Sequence, residues 1–211
     1  MLAHLHNHTT YSFLDGINTI DAMLERAGEI GTDVIAVIDH ANVCGHIDFY
    51  ESKTDIKKVY GCEEYHWDAK YHKDKRDNFH LTLWAKNQEG FNNLWATATE
   101  VYEVADKNGY KKGLLVEEIM RNRGKGIYAG SACMGGGISQ ALMNNNEELA
   151  LELLQLYREC FDEFFIEIHT NTMPEQHELN IKLVNFARKN KAPMIYAVDS
   201  HYLTQDEADM Q

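Results

Sequence analysis

The chain is 211 residues long and 44% hydrophobic, so it can bury one substantial core, and a single domain is the expectation. Its 33 acidic against 20 basic residues leave a net charge of −13, which argues against a stand-alone nucleic-acid binder held by phosphate contacts. No apolar run is long enough to span a membrane, Cys44, Cys62, Cys133 and Cys160 form no CxxC pair, and no basic-then-apolar signal opens the chain; together these indicate a reducing, cytoplasmic setting.

The first segment in chain order is His4-Leu5-His6-Asn7-His8, followed by Asp15 and Gly16. Alternate residues of a strand point to one face, so imidazoles at every second position can converge, with an extended Leu2–His6 leading into a loop that carries His8 and Asp15. Taken alone, the same run also fits a chance surface cluster. Asn18 can cap a helix whose stripe Ile20, Met23, Leu24, Ala27 and Ile30 ends at Gly31. Val34–Ile38 is a continuous apolar run, the pattern of a strand buried on both faces, and it delivers Asp39 and His40 at its carboxyl end. A helix over 46–58 leads to a strand over 59–65, with Glu63 near its end. Residues 66–78 form a polar loop in which Asp68, Asp74 and Asp77 nearly cancel Lys70, Lys73, Lys75 and Arg76.

Phe79–Ala85 is the next strand, followed by helices over 88–105 and 115–123. The strand over 126–130 ends in Ser131-Ala132-Cys133-Met134 and Gly135-Gly136-Gly137, glycines that either cradle a phosphate on their N–H groups or give a flexible entry to the next helix. A helix over 147–161 carries Leu149, Leu153, Leu156 and Cys160 on one face, and a strand over 164–168 ends near His169. Pro174 opens the last long helix, and a strand over 194–198 presents Asp199-Ser200-His201.

Repeated strand-helix units imply a parallel sheet, and in closed parallel barrels the chemistry sits on the loops after the strands' carboxyl ends. Potential ligands recur there: His6 and His8, His40, Glu63, Cys133, then Asp199 and His201. His80 begins its strand instead of ending it, so either that boundary is shifted or the strand runs the other way.

The run His4-Leu5-His6-Asn7-His8-Thr9 with Tyr11-Ser12 and Leu14-Asp15-Gly16, then Asp39-His40, Gly61-Cys62-Glu63, His80-Leu81 with Ala85-Lys86-Asn87, Gly130-Ser131-Ala132-Cys133 and Asp199-Ser200-His201, resembles the PHP (polymerase and histidinol phosphatase) domain. Within that family it is most similar to the domain at the N-terminus of the bacterial replicative DNA polymerase III α subunit. The resemblance implies an α/β fold, a distorted seven-stranded (β/α)7 barrel of TIM-like form, with three divalent metal ions at the strands' carboxyl ends. It implies that His6 and His8 hold one ion with Asp199 and the bridging Glu63, that Glu63, His80 and Cys133 hold a second, and that Asp15, His40 and His201 hold a third. Asp15 and Cys133 stand where other members often have His, and the softer thiolate favours zinc at the second site.

Imidazole and carboxylate suit zinc, manganese or iron, and clustered divalent ions lower the pKa of bound water, which makes hydroxide the expected nucleophile on a phosphoester. There is no G-x-S-x-G and no Walker A loop. The implied function is a metal-dependent phosphoesterase serving DNA replication as a 3′–5′ exonuclease on a single-stranded or mispaired DNA 3′ end, with a polymerase catalytic region in cis or in trans. Two alternatives stay open: a non-catalytic, metal-stabilised module of a polymerase, and a small-molecule phosphatase of the histidinol-phosphatase type. Asp39 is expected to orient a histidine ligand or to cap a helix, and His169 to reach the substrate rim or to be a surface histidine; His4 is expected to face away. Because polymerase members of the family continue beyond Tyr202–Glu207, residues 1–211 read as a single PHP domain excised from, or related to, a larger replicative polymerase.

Overall fold

The apolar run at 34–38 is half-buried at Val34 and buried on both faces from Ile35 on, and its alternation sorts the barrel: Ile35 and Val37 pack outward with Met23, Leu24 and Phe49, while Ala36 and Ile38 pack inward with Trp84. In this computed structural model, which describes residues 1–74, 77–171 and 173–210, seven strands form one sheet in chain order. They are β1 (Ala3–His4), β2 (Val34–His40), β3 (Lys57–His66), β4 (Phe79–Ala85), β5 (Ile127–Gly130), β6 (Glu163–His169) and β7 (Met194–Ala197). The helices are α1 (Ile20–Glu29), α2 (His46–Glu51), α3 (Gln88–Lys107), α4 (Glu117–Arg123), α5 (Gly137–Met143), α6 (Glu147–Cys160) and α7 (Pro174–Lys189). Lys75 and Arg76 of the expected polar loop lie outside the described residues.

The extensions of the first and last strands meet, His8 N donating to Ser200 O at 2.8 Å and Ser200 N to His6 O at 3.2 Å, so the barrel nearly closes. At one end its interior is filled by Ile38 and Trp84 with Leu5, Val59, Tyr128 and Ile195 against them, and the Trp84 indole donates across the barrel to Leu5 O at 2.8 Å. Inward positions nearer the other end are polar: His40, Glu63, Thr82, His80 and Glu167. The main apolar core lies outside the sheet, between β4–β6 and the helices α3–α7, with Leu81, Leu83, Leu94, Leu153, Phe164 and Phe186 among its members.

Four expectations are corrected. The sheet is not wholly parallel: β4 pairs antiparallel with both β3 and β5. The second helix stops at Glu51 instead of Lys58, because Lys57 and Lys58 are already paired with Val34 and Ile35 in the β2–β3 ladder. Thr19, not Asn18, caps α1 by accepting from Ala22 N, and the Asn18 amide instead donates to His8 O at 3.0 Å. The glycine run opens the seven-residue helix α5, which the spacing does not predict. Gly136 is obligatory there, since a Cβ would fall 1.8 Å from Ser131 O.

Candidate metal centre

Strand alternation and the reversed β4 carry the predicted residues to one end of the barrel. His6 and His8 lie beyond β1, where Asn7 anchors the segment: its amide donates to His4 O at 2.9 Å and Ala36 O at 3.0 Å. His40 ends β2, Glu63 sits inward on β3, and Asp199 and His201 follow β7. Because β4 runs opposite to its neighbours, its first residues, not its last, lie at this end, and His80 Nδ1 comes within 2.8 Å of Glu63 Oε1.

The donor atoms of the predicted ligands form three abutting groups, and His6 belongs to a fourth, buried one with Glu167 and His169. His6 Nε2 and His8 Nε2 are 3.2 Å apart, each is 3.1–3.3 Å from Glu63 Oε2, and each is 3.2–3.3 Å from Asp199 Oδ1. Ligands of a tetrahedral ion at ordinary bond lengths are separated by about 3.3 Å, so His6, His8 and Asp199 have the mutual spacing such an ion requires, and Glu63 approaches both rings at the same distance. Asp15 Oδ2 lies 2.8 Å from His40 Nε2 and 3.0 Å from His201 Nε2, and His8 faces the same point. Glu63 Oε1 and His80 Nδ1 make the third group with His40, and Cys133 Sγ stands 3.8 Å from His80 Nδ1. His40 Nδ1 and Asp199 Oδ1 are buried without a hydrogen-bond partner, the state of ligand atoms that a cation would satisfy. Soft and hard donors are thus both present: imidazole, carboxylate and one thiol.

The electrostatics fit the same reading. Burial pushes the Glu63 carboxyl up, but His80, His6 and His8 around it outweigh that and hold it well below the usual carboxylate range. Burial disfavours the His8 cation, yet Asp199 and Glu63 raise its pKa to about 9. Hydrogen bonds from His201 and His40 keep Asp15 ionised far below its ordinary value. For the Cys133 thiol, burial and the nearby charges of Glu63 and Asp199 push the pKa well up, so this side chain needs a cation to become a thiolate ligand.

The supporting contacts decide which nitrogens face inward. His8 Nδ1 lies 3.0 Å from the Ser12 hydroxyl, which donates to Asp39 Oδ1 at 2.8 Å; Asp39 also accepts from Thr9 N at 2.8 Å. Asp39 therefore reaches a histidine through Ser12 and caps no helix. Sequence reasoning did not find Glu167, which is fully buried on β6 with Oε2 2.8 Å from His6 Nδ1. Its signal is legible in retrospect: one acid inside Phe164-Phe165-Ile166-Glu167-Ile168, on the face that turns inward. His169 is 2% exposed, its ring packs edge-on to His6 at 5.6 Å, and its Nε2 donates to Ala132 O at 3.1 Å. His4 belongs to none of the donor groups and lines a depression with Met23 and Ala27 on the outer side.

Backbone strain collects at the same end. Of six non-glycine residues in the left-handed region among the described residues, Leu14, Ala41, Ala132 and Asp199 are a candidate ligand or adjoin one; each costs of order 1 kcal/mol that the surrounding packing must offset. Beside the cluster lies a groove of about 510 Å³ bordered by Met134, Thr170, Asn171, Tyr202 and Gln205, with no lysine or arginine among its described lining residues.

These features define an α/β barrel with a cluster of candidate metal ligands at one end, and comparison with known proteins gives its family. The model of the PHP domain matches residues 4–171, and the chain belongs to that family. It is 34% identical to the DNA polymerase III subunit alpha of Helicobacter pylori over 99% of its own length and 18% of that protein. With the same subunit of Thermus aquaticus it is 35% identical over 98% of its length and 18% of the relative. The chain thus spans under a fifth of the length of these relatives. Among solved structures, a Bifidobacterium adolescentis protein designated a metal-dependent phosphoesterase superposes with a TM-score of 0.62 at 14% identity, covering 95% of this chain and 87% of that one. An amidohydrolase from Chromobacterium violaceum gives 0.63 at 13% identity, covering 95% and 88%. At such identities the likeness concerns the fold. All four cysteines are free, and no helix among the described residues is long and apolar enough to cross a membrane.

Proposed function

We propose that this PHP domain holds three divalent ions, zinc, manganese or iron, and hydrolyses DNA phosphodiesters as a 3′–5′ exonuclease acting on single-stranded or mispaired 3′ ends. The observation that carries the reading is the meeting of His6 Nε2, His8 Nε2 and Asp199 Oδ1 at 3.2–3.3 Å from one another, with Glu63 Oε2 3.1–3.3 Å from both rings. In the proposed assignment His6, His8, Glu63 and Asp199 would hold one ion, Glu63, His80 and Cys133 a second, and Asp15, His40 and His201 the third; Glu63 Oε2 lies beside His6 and His8, and its Oε1 beside His80. Ions held there supply a lowered pKa for water and neutralise charge on phosphoester oxygens.

The protein's own residues orient and exclude. Asp39 and Ser12 fix the His8 ring so that Nε2 faces the cluster, and buried Thr9 and Asn18 hold the loop between His8 and Asp15. His169 borders the groove, but it is buried against His6 with its Nε2 given to Ala132 O, so its proposed role is to pack His6 and not to touch substrate. The net charge is −13, and no lysine or arginine is among the described residues that line the groove, so the groove itself offers little to a DNA backbone. A polymerase region in cis or in trans, such as the larger relatives carry, is the proposed source of those contacts.

The test is to load the protein with zinc or manganese and assay it on single-stranded DNA labelled at its 5′ end and on histidinol phosphate, alongside His8→Ala and Asp199→Ala. The expected result is metal-dependent shortening from the 3′ end that both substitutions abolish. Turnover of histidinol phosphate alone would assign the domain to small phosphomonoesters, and bound metal without turnover would leave it a bracing module.

A further inference from the structure

Glu167 occupies the barrel interior on β6, fully buried, and among the described residues its charged neighbours are the imidazoles of His6 and His169, with no lysine or arginine paired to it. Its two oxygens serve different parts of the cluster. Oε2 accepts from His6 Nδ1 at 2.8 Å; Oε1 accepts from Ala132 N at 2.8 Å and from the Thr82 hydroxyl. Ala132 is held in the left-handed region at φ 54°, and the residue it presents is Cys133. Two further contacts from β6 pin the same turn: Glu167 N donates to Ser131 Oγ at 2.9 Å, and His169 Nε2 to Ala132 O at 3.1 Å. The space itself is built for the carboxylate, because a Cβ at Gly130 would fall 2.5 Å from Glu167 Oε1 and equally near Thr82 Oγ1.

We infer that Glu167 is a positioning residue that couples two of the proposed metal sites, one through His6 and the other through the turn that carries Cys133. The inference rests on the metal reading above. By accepting from His6 Nδ1, Glu167 places the ring proton there and leaves the Nε2 lone pair directed at His8, Glu63 and Asp199. A carboxylate is required because all three partners donate. Glutamine has the same shape but one accepting oxygen; with that oxygen kept on Ala132 N and Thr82, its NH₂ would face His6 Nδ1. The imidazole would then carry its proton on Nε2, where it blocks the metal.

The experiment is competitive zinc titration against a chromogenic chelator for the wild-type chain, Glu167→Gln, Glu167→Asp and Thr82→Val, each with its unfolding midpoint. It is combined with long-range ¹H–¹⁵N correlation of the histidine rings in the zinc-loaded wild type. The expected result is a tightest zinc bound 10–100-fold more weakly in Glu167→Gln, partly restored in Glu167→Asp, and near wild-type in Thr82→Val even where its midpoint falls. In the loaded wild type, the His6 proton is expected on Nδ1. A Glu167→Gln protein with unchanged zinc affinity, or zinc bound through His6 Nδ1 in the wild type, would overturn the inference alone. The ring measurement needs no variant, so a Glu167→Gln protein that does not fold still leaves a decisive outcome. No zinc uptake by the wild type would instead overturn the metal reading, and this inference with it.

Discussion

His80 Nδ1 and Glu63 Oε1 lie 2.8 Å apart although their strands run in opposite directions. In the β3–β4 ladder Glu63 faces Thr82 and Tyr65 faces His80, so the two side chains are diagonal neighbours on the inner face. A parallel β4 of the same length would put His80 at the opposite end of the barrel.

Since His80 and Cys133 are proposed ligands of one ion, His80→Ala and Cys133→Ala should each lower the metal content of zinc-loaded protein by one per chain, and the double variant by no more than that. Elemental analysis after gel filtration checks this. A loss of two ions in the double variant would separate the residues into different sites.

His66 ends β3 on the outward face, with Nδ1 2.8 Å from the Tyr157 hydroxyl and Nε2 without a partner. Burial, reinforced by the neighbouring His72, depresses its pKa from 6.5 to about 4. The unfolded chain therefore binds this proton first, so the group costs nothing at neutral pH and destabilises the fold progressively as pH falls from 6.5 toward 4. Between pH 7 and pH 5 the cost is roughly 2 kcal/mol. Urea midpoints at both pH values should show a smaller drop for His66→Phe than for wild type, and parallel drops would refute it.

Gly90, in the first turn of α3, faces Gly126 O, where a Cβ would stand 1.7 Å away. That carbonyl also accepts from Lys86 N at 2.9 Å and cannot withdraw freely. Gly90→Ala should cost roughly 1–3 kcal/mol of stability, against the gain of about 1 kcal/mol that alanine normally brings to a helix. A urea midpoint at or above wild type would contradict the packing described.

Much of this was readable from residue order. The apolar run at 34–38 is buried as expected from Ile35 on, Phe79–Ala85 is β4 to the residue, and the candidate ligands do gather at one end of the barrel. The direction of β4 was only hinted at, by His80 at the start of its strand, because alternating strand and helix patterns say nothing of polarity; the pairing of residues 61–66 with 79–84 decides it. The Asn18 error has a similar origin: Asn18 and Thr19 both suit a cap, and only the tertiary need of His8 O for a donor separates them. Glu167 escaped notice because a buried acid in an apolar strand has meaning only once its partner, 161 residues away in sequence, is known.

The most direct measurement is anomalous diffraction at the zinc edge from crystals of the zinc-loaded chain. The account predicts peaks at bonding distance, about 2.0–2.3 Å, from His6, His8 and Asp199, from His80 and Glu63, and from Asp15, His40 and His201. Zinc confined to the surface, with His6 and His8 still packed against Glu63 and Asp199 and no peak among them, would contradict it.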